Sequence, residues 1–390
     1  MARKMYVGID IGTYHVKAVI AAPPDSPDQS MTVIGTGSAA SKGMRHGYIV
    51  DQREVTRAIR EAVQRAAHAS KTPVTRARLA MGGISLEELR SFGDVTLTTS
   101  GGIVSEREME RVLRESEKRV SSKLVNRSII HAIPLSYKID GSPVQGRPQG
   151  LQGTKLSVES LIISMLTQHH DDLIETVENS GIEVEGIMAS PLAASFATLT
   201  KAQKTAGVVL TNIGAETLSI IVYDNDIPIS VKVFPIGATD ITSAIALTFQ
   251  IPLPEAEQMK RGAVTGSDIA PRKMATVVSG RLKEMFRLVN AHLKTLGREK
   301  LLPAGIVITG GGASISGAPE IARLVMKLPA QVGLPAPVPR LGSLDASWAV
   351  AYGLCRWAYA EDSAAHPESF GELIAHVFNS LRNGLRLLLP

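Results

Sequence analysis

The sequence predicts an α/β protein of two lobes related by an internal duplication, and three observations carry that reading. The run Val7-Gly8-Ile9-Asp10-Ile11-Gly12-Thr13-Tyr14-His15-Val16-Lys17 is an apolar strand, a glycine turn with a hydroxyl, and a second apolar strand reaching Ala21. A copy follows in the second half of the chain at Val208-Val209-Leu210-Thr211-Asn212-Ile213-Gly214-Ala215-Glu216-Thr217, continuing through Leu218 to Tyr223. The third is Gly305-Ile306-Val307-Ile308-Thr309-Gly310-Gly311-Gly312, a buried strand entering a glycine turn ahead of the helix start Ala318-Pro319-Glu320.

These turns suit an anion. Glycine lets backbone N–H groups approach phosphate oxygens, the hydroxyls add donors, and a carboxylate at the strand end can hold a hydrated Mg²⁺. Asp-x-Gly-Thr alone also serves as an ordinary hairpin turn. Two copies and a strand ending in three glycines can face one phosphate chain.

The remaining elements follow in order. After the first hairpin come a strand from Met31 to Gly35 and a helix over about 51–69. In that helix Asp51 and Glu54 suit a capping box, and Val55, Ile59, Ala62, Val63 and Ala66 form one apolar face. From about Gly83 to Leu156 the chain has its own strand (Val95 to Thr98), a helix opening at Ser105, and strands at Ser128 to Ile133 and Ser136 to Ile139. This segment reads as an insertion, with Gly141 to Gly153 as a loop inside it. A strand over 157–165 and a helix over 171–180 return to the first lobe, and Ser190 to Phe196 opens a connecting helix. Trp348 to Tyr359 is the second such helix, and Glu361 to Ser369 a polar linker.

At 390 residues, with 44% hydrophobic and 20% charged, the chain is too large for one simple core and too apolar for disorder. Its +5 formal charge is spread without long runs and aromatics are only 4%, so nucleic acid is not an expected partner. The single cysteine, Cys355, lies in an apolar helical run, which predicts a buried thiol and excludes an internal disulfide. No apolar leader precedes the first strand and no run of eighteen apolar residues occurs, so a cytoplasmic, non-spanning protein is expected.

The order of hairpin, hairpin and strand-Gly-Gly-Gly resembles the actin-like ATPase superfamily, with its two phosphate motifs and its adenosine motif. Within it the chain is similar to the FtsA family of bacterial division proteins. The resemblance is most specific at His131-Ala132-Ile133-Pro134-Leu135-Ser136-Tyr137-Lys138-Ile139-Asp140-Gly141 and Gly150-Leu151-Gln152-Gly153-Thr154-Lys155-Leu156. It implies lobe one from 1–82 and 157–196, an FtsA-type inserted subdomain at 83–156, and lobe two at 197–359 with its outer part at about 236–302. A linker at 360–369 and an amphipathic membrane-targeting helix at 370–390 would follow.

The resemblance also implies ATP with Mg²⁺ as ligands. Asp10 would order the metal through water. Gly12, Thr13, Tyr14, His15 and Lys17 would meet the phosphates from the first turn, and Asn212, Gly214, Ala215 and Thr217 from the second. Glu257 and Lys260, spaced to share a helix face, would lie against the adenosine beside Gly310, Gly311 and Gly312. Two departures point to slow or absent hydrolysis. An amide at Asn212 replaces the carboxylate of many actin-like ATPases and cannot act as a base. Ala189 and Ser190 stand where an acidic or Gln residue often positions water. No catalytic residue is assigned.

The stretch 370–390 is amphipathic at helical period. Phe370, Ile374, Val377, Phe378, Leu381, Leu385 and Leu388 share a face, with Arg382 flanking it and Glu372, Asn379, Asn383 and Arg386 opposite. Arg382 and Arg386 suit lipid headgroups, and the polar face favours an interfacial helix over a spanning one. Packing on the body or on a partner chain is the alternative for such a helix. The resemblance implies filaments on the cytoplasmic face of the membrane at the septum. It implies recruitment of other division proteins and of the FtsZ C-terminal peptide, the latter by the outer part of lobe two. Arg261, Arg272, Lys273, Arg281 and Lys283 would suit an acidic peptide there. The competing functions are an ATP-dependent phosphotransferase of the same superfamily and an actin-like pilus-assembly protein.

Overall fold

The computed structural model describes residues 4–24, 30–98, 101–263, 270–335 and 344–363. Lobe one opens with β1 (Tyr6–Ile11), β2 (His15–Ala22) and β3 (Thr32–Ala40). A two-residue hairpin, β4 (Met44–Arg45) and β5 (Tyr48–Ile49), leads into α1 (Gln52–Ser70) and β6 (Arg76–Met81). Asp51 caps α1 by accepting from the Glu54 N–H, and its side chains Val55, Ile59, Ala62, Val63 and Ala66 are all buried. β3 extends beyond the expected Met31 to Gly35 because its alternation of buried and half-buried residues continues to Ala39.

The insertion then runs through β7 (Glu87–Thr96), α2 (Glu106–Val120), β8 (Arg127–Ile139), β9 (Ser142–Val144) and β10 (Lys155–Leu166), forming a sheet in the order β7-β10-β8-β9 with α2 packed on it. Three expectations change here. The strand expected over 157–165 to return to lobe one is β10, which pairs with β7 and β8 inside the insertion's own sheet, so the insertion extends past Leu156 to Leu166. The separate strands at 128–133 and 136–139 are one strand, β8. Pro134 cannot donate to the ladder, and the structure places it at a bulge: Ser160 faces Pro134 and Glu159 faces Ser136, leaving Leu135 extra. β7 also begins well before Val95.

Lobe one resumes with α3 (Thr167–Glu178), β11 (Glu183–Ala189) and the connecting helix α4 (Ser190–Thr198). Lobe two follows with α5 (Lys201–Ala206), β12 (Val208–Ile213), β13 (Leu218–Asp224), β14 (Ile227–Phe234), α6 (Ala238–Phe249), α7 (Leu253–Lys260) and α8 (Pro271–Thr295). It closes with β15 (Ile306–Thr309), α9 (Ala318–Met326), β16 (Ala330–Val332) and the second connecting helix α10 (Ala349–Ser363).

The duplication is visible in the sheets. Read from the hairpin edge, lobe one runs β3-β2-β1-β6-β11 and lobe two β14-β13-β12-β15-β16. In each, three strands are antiparallel and the last two join parallel. Ligands in open α/β sheets bind outside the carboxyl ends of parallel strands, and here two such ends face each other.

Helices α4 and α10 cross between the lobes at very close range. A Cβ on Gly353 would lie 1.8 Å from the Ala193 carbonyl oxygen, and one on Gly8 2.2 Å from that of Ala351. Cys355 is buried with its thiol pushed up to about 12 by desolvation. α10 continues to Ser363, so residues 361–363 are helix where a linker was expected. Buried Glu361 pairs there with buried Arg78, whose guanidinium stacks 4.3 Å over Trp357. The expected amphipathic helix at 370–390, with its nine membrane-binding residues, lies outside the described residues.

Candidate functional site

Both duplicated turns close in the same way. The Gly12 N–H donates to the His15 carbonyl at 3.1 Å, and the Gly214 N–H to the Thr217 carbonyl at 2.8 Å. In register, Asp10 lies opposite Lys17 in the first hairpin, and Asn212 opposite Ser219 in the second. The first turn therefore presents a carboxylate and an ammonium where the second presents an amide and a hydroxyl.

The two turns face one cavity of about 800 Å³, within the range of small-molecule and cofactor sites. All fifteen residues expected at a nucleotide line it: Asp10, Gly12, Thr13, Tyr14, His15, Lys17, Asn212, Gly214, Ala215, Thr217, Glu257, Lys260, Gly310, Gly311 and Gly312.

Burial in the cleft raises the Asp10 carboxyl to about 6, with Lys17 lowering it in part. Burial likewise lowers Lys17, while Asp10 and Asp345 act to keep it charged. The Lys17 ammonium donates to the Ser347 carbonyl at 2.7 Å and lies 5.3 Å from the Trp348 ring. It is thus anchored at the cavity wall by one bond, with donors left for a polyanion.

On the opposite wall α7 presents Glu257 and Lys260, paired at 2.7 Å. Lys260 also donates to the Ala238 carbonyl at 3.0 Å, and the Thr242 hydroxyl donates to Glu257 at 2.6 Å. The three glycines follow β15 into a short 3-10 turn, Gly311–Ser314. Gly310 has φ +86, and a Cβ there would lie 2.2 Å from Asn212 Oδ1, so only glycine fits. At Gly311 a Cβ would meet nothing within 4 Å, which leaves open space above the backbone for a ligand.

Several lining residues escaped the sequence reading. Gly82 and Gly83 follow β6 as Gly310 and Gly311 follow β15, so the duplication itself was the available signal. Arg261, which by sequence would also suit an acidic peptide, is a cleft residue. It bonds Glu257 at 2.8 Å, and its guanidinium lies 5.3 Å from the Tyr14 ring across the cleft. Arg281 is paired with Glu284 at 2.8 Å. Asp345, Ser347 and Trp348 come from the approach to α10 and carry no local motif. His169 is held at both nitrogens, with Nδ1 2.8 Å from the Ser85 hydroxyl and Nε2 2.6 Å from the Gly47 carbonyl.

The cradle of glycine backbone, the lysine and the open space at Gly311 fit a nucleotide. No group of three or more metal-ligating side chains exists among the described residues. A divalent ion here would therefore take Asp10 and complete its shell with phosphate oxygens and water.

Comparisons agree with this architecture. Residues 209–353 match the model of the cell division protein FtsA, and residues 83–164 match that of the SHS2 domain inserted in FtsA. The FtsA protein of Borreliella burgdorferi is 26% identical over 93% of this chain and 92% of its own length. That of Pseudomonas aeruginosa is 29% identical over 85% and 83%, and that of Bacillus subtilis 27% over 91% and 83%. Among solved structures, the PilM–PilN type IV pilus biogenesis complex superposes with a TM-score of 0.68 at 18% identity, covering 90% of this chain and 98% of the other. MreB5 of Spiroplasma citri bound to AMPPNP gives 0.52 at 12%, covering 98% and 99%. These two show the actin-like fold. With the division-protein model on lobe two, the inserted-domain model on 83–164 and full-length relatives spanning both lobes, the chain belongs to the FtsA family of cell division proteins.

Proposed function

We propose that this actin-like division scaffold binds ATP with Mg²⁺ between its lobes and assembles into filaments on the inner face of the membrane at the division site, where it holds FtsZ. The observation that carries the nucleotide reading is the convergence of both duplicated turns, Lys17, the Glu257–Lys260 pair and the three glycines on one cavity. The fold neighbour MreB5 is bound to AMPPNP, which supports a nucleotide for this cleft. No helix among the described residues is long and apolar enough to cross a membrane. The amphipathic pattern of 370–390 supports peripheral attachment. FtsA relatives do not favour the phosphotransferase or pilus-assembly alternatives.

When bound, Mg²⁺ would neutralise phosphate charge. Lys17 binds phosphate, the turn N–H groups orient it, and Glu257 with Lys260 fixes the nucleoside end. We propose slow hydrolysis. Asn212 offers an amide where a base would stand, Ser190 offers only a hydroxyl, and both nitrogens of His169 are already engaged. Negative-stain electron microscopy on an anionic lipid monolayer, with and without ATP and Mg²⁺, tests the proposal. Filaments on lipid that require ATP are expected, and protein that stays dispersed under all conditions overturns it.

A further inference from the structure

Among the described residues two hydrogen-bonded routes connect the inserted subdomain to lobe two, one direct and one through the β4–β5 hairpin of lobe one, and neither runs through α4 or α10. The first is direct. From β7, Glu88 reaches the edge strand β14, where it accepts from the Ser230 hydroxyl at 2.7 Å and from the Val231 N–H. His292 of α8 completes the row, with Nε2 2.7 Å from the same hydroxyl. Ser230 is fully buried, so this row of carboxylate, hydroxyl and imidazole admits no substrate and serves as a fastening.

The second contact crosses the cleft at the phosphate-facing turn of lobe two. Glu216 accepts the His46 N–H at 2.6 Å from the tip of the β4–β5 hairpin. The next residue, Gly47, gives its carbonyl to His169, and His169 holds Ser85 at the root of the insertion. Tyr48 stacks on His169 at 4.2 Å, and a Cβ on Gly47 would lie 2.4 Å from the Gly83 Cα. The hairpin is thus wedged between the turn of lobe two and the base of the inserted subdomain.

We infer that these two contacts couple the inserted subdomain to the nucleotide cleft, so that closing the lobes on a nucleotide draws the subdomain with lobe two. The inference rests on the nucleotide reading of the cleft. β14 and Glu216 both belong to lobe two, whereas the insertion is rooted in lobe one. Any rotation about α4 and α10 must therefore break these bonds or carry β7 along. Breaking them strands the half-buried Glu88 carboxylate, and β7 is paired to β10 from Glu87 to Thr96, so it travels with the subdomain.

Hydrogen exchange by mass spectrometry on the full chain decides this, with ATP and Mg²⁺ as the probe. In the wild type, ATP is expected to slow exchange at both 8–17 and 87–96 by about threefold or more. In Glu88→Ala/Glu216→Ala, 8–17 remains protected by ATP while 87–96 no longer responds. Unchanged exchange over 155–166 shows that the variant is folded, and Glu88→Gln/Glu216→Gln supplies a milder second pair. The coupling is overturned if 87–96 responds to ATP equally in the variants, or fails to respond in the wild type while 8–17 does. If ATP protects neither segment of the wild type, the nucleotide reading fails. The ligand-free proteins then decide: faster exchange over 87–96 in the variants supports the coupling, and rates equal to wild type overturn it.

Discussion

Asp10 and Lys17 face each other across the first hairpin, and each moderates the cost that burial imposes on the other's charge. Among the described residues Lys17 donates one bond, to the Ser347 carbonyl, so a phosphate placed against the turn gains a charge-assisted bond. Lys17→Met should weaken ATP binding by roughly tenfold to a hundredfold, the worth of one such bond at about 1.5–3 kcal/mol. Isothermal titration checks this, and an affinity within twofold of wild type excludes a phosphate role. A second residue sets a pH dependence far from the cleft. His131 is buried and accepts the Ala189 N–H at 2.9 Å, and burial pushes its imidazole down to about 3. The folded pKa is depressed, so the unfolded chain takes up the proton first. Stability is complete above the ordinary value of about 6.5 and is lost below it at about 1.4 kcal/mol per pH unit, roughly 2 kcal/mol by pH 5. Asp10 works in the opposite sense. Its raised pKa lets the folded state bind the proton first between about 6 and the ordinary carboxylate range, which offsets part of the loss. His131→Leu isolates the histidine. It should cost about 1–3 kcal/mol at pH 7.5 by depriving the Ala189 N–H of its acceptor, and that deficit should shrink by about 2 kcal/mol at pH 5. Urea unfolding at the two pH values measures it, and an equal deficit at both rejects the linkage.

At the scale of elements, period and turn chemistry were legible where a face is buried. α1 announced its cap at Asp51 and its apolar stripe, and both glycine hairpins were visible as copies. What was not legible depended on distant partners. Pro134 reads as the end of a strand until β10 supplies the bulge that accommodates it. The polar start of β7 gives no strand signal of its own because the β10 ladder that holds it lies far along the chain. Glu361 reads as linker because the Arg78 that keeps it in helix stands at the other end of the sequence. Glycines divide along the same line, since their sequence context does not tell which neighbour they admit. Gly353 lies where α10 meets α4, and a Cβ would fall 1.8 Å from the Ala193 carbonyl. Gly280, in α8, has nothing within 4 Å of a built Cβ. Gly353→Ala should therefore destabilise by about 3 kcal/mol through forced separation of the helices, whereas Gly280→Ala should stabilise by about 0.5–1 kcal/mol through helix propensity. Parallel denaturation curves compare them. Similar effects at the two sites would show that the helix crossing yields easily and is no fixed axis between the lobes.

Over the whole molecule, duplication explains why the site was the most legible part of the sequence. Equivalent motifs on equivalent sheets must face each other when the two copies pack, and the residues between them then share a ligand. The residues added by the route of the chain into α10, such as Ser347 and Trp348, have no counterpart motif and needed the structure. The final turn of that helix is held to lobe one by Glu361 on Arg78 and by Asp362 on Lys4. By sequence, Leu381 stands in the middle of the apolar face of 370–390. Losing its burial removes about 1.5–3 kcal/mol of membrane affinity before any cost of placing a carboxylate there. Leu381→Glu should weaken binding of the single protein to anionic vesicles by roughly tenfold or more. If ATP drives assembly, many tails engage together and the per-tail loss multiplies along the filament, so the deficit should widen with ATP and Mg²⁺ present. Vesicle co-sedimentation with and without ATP separates the two claims. Wild-type binding by the variant rejects the anchor, whereas an equal deficit in both conditions keeps the anchor and rejects its reinforcement by assembly.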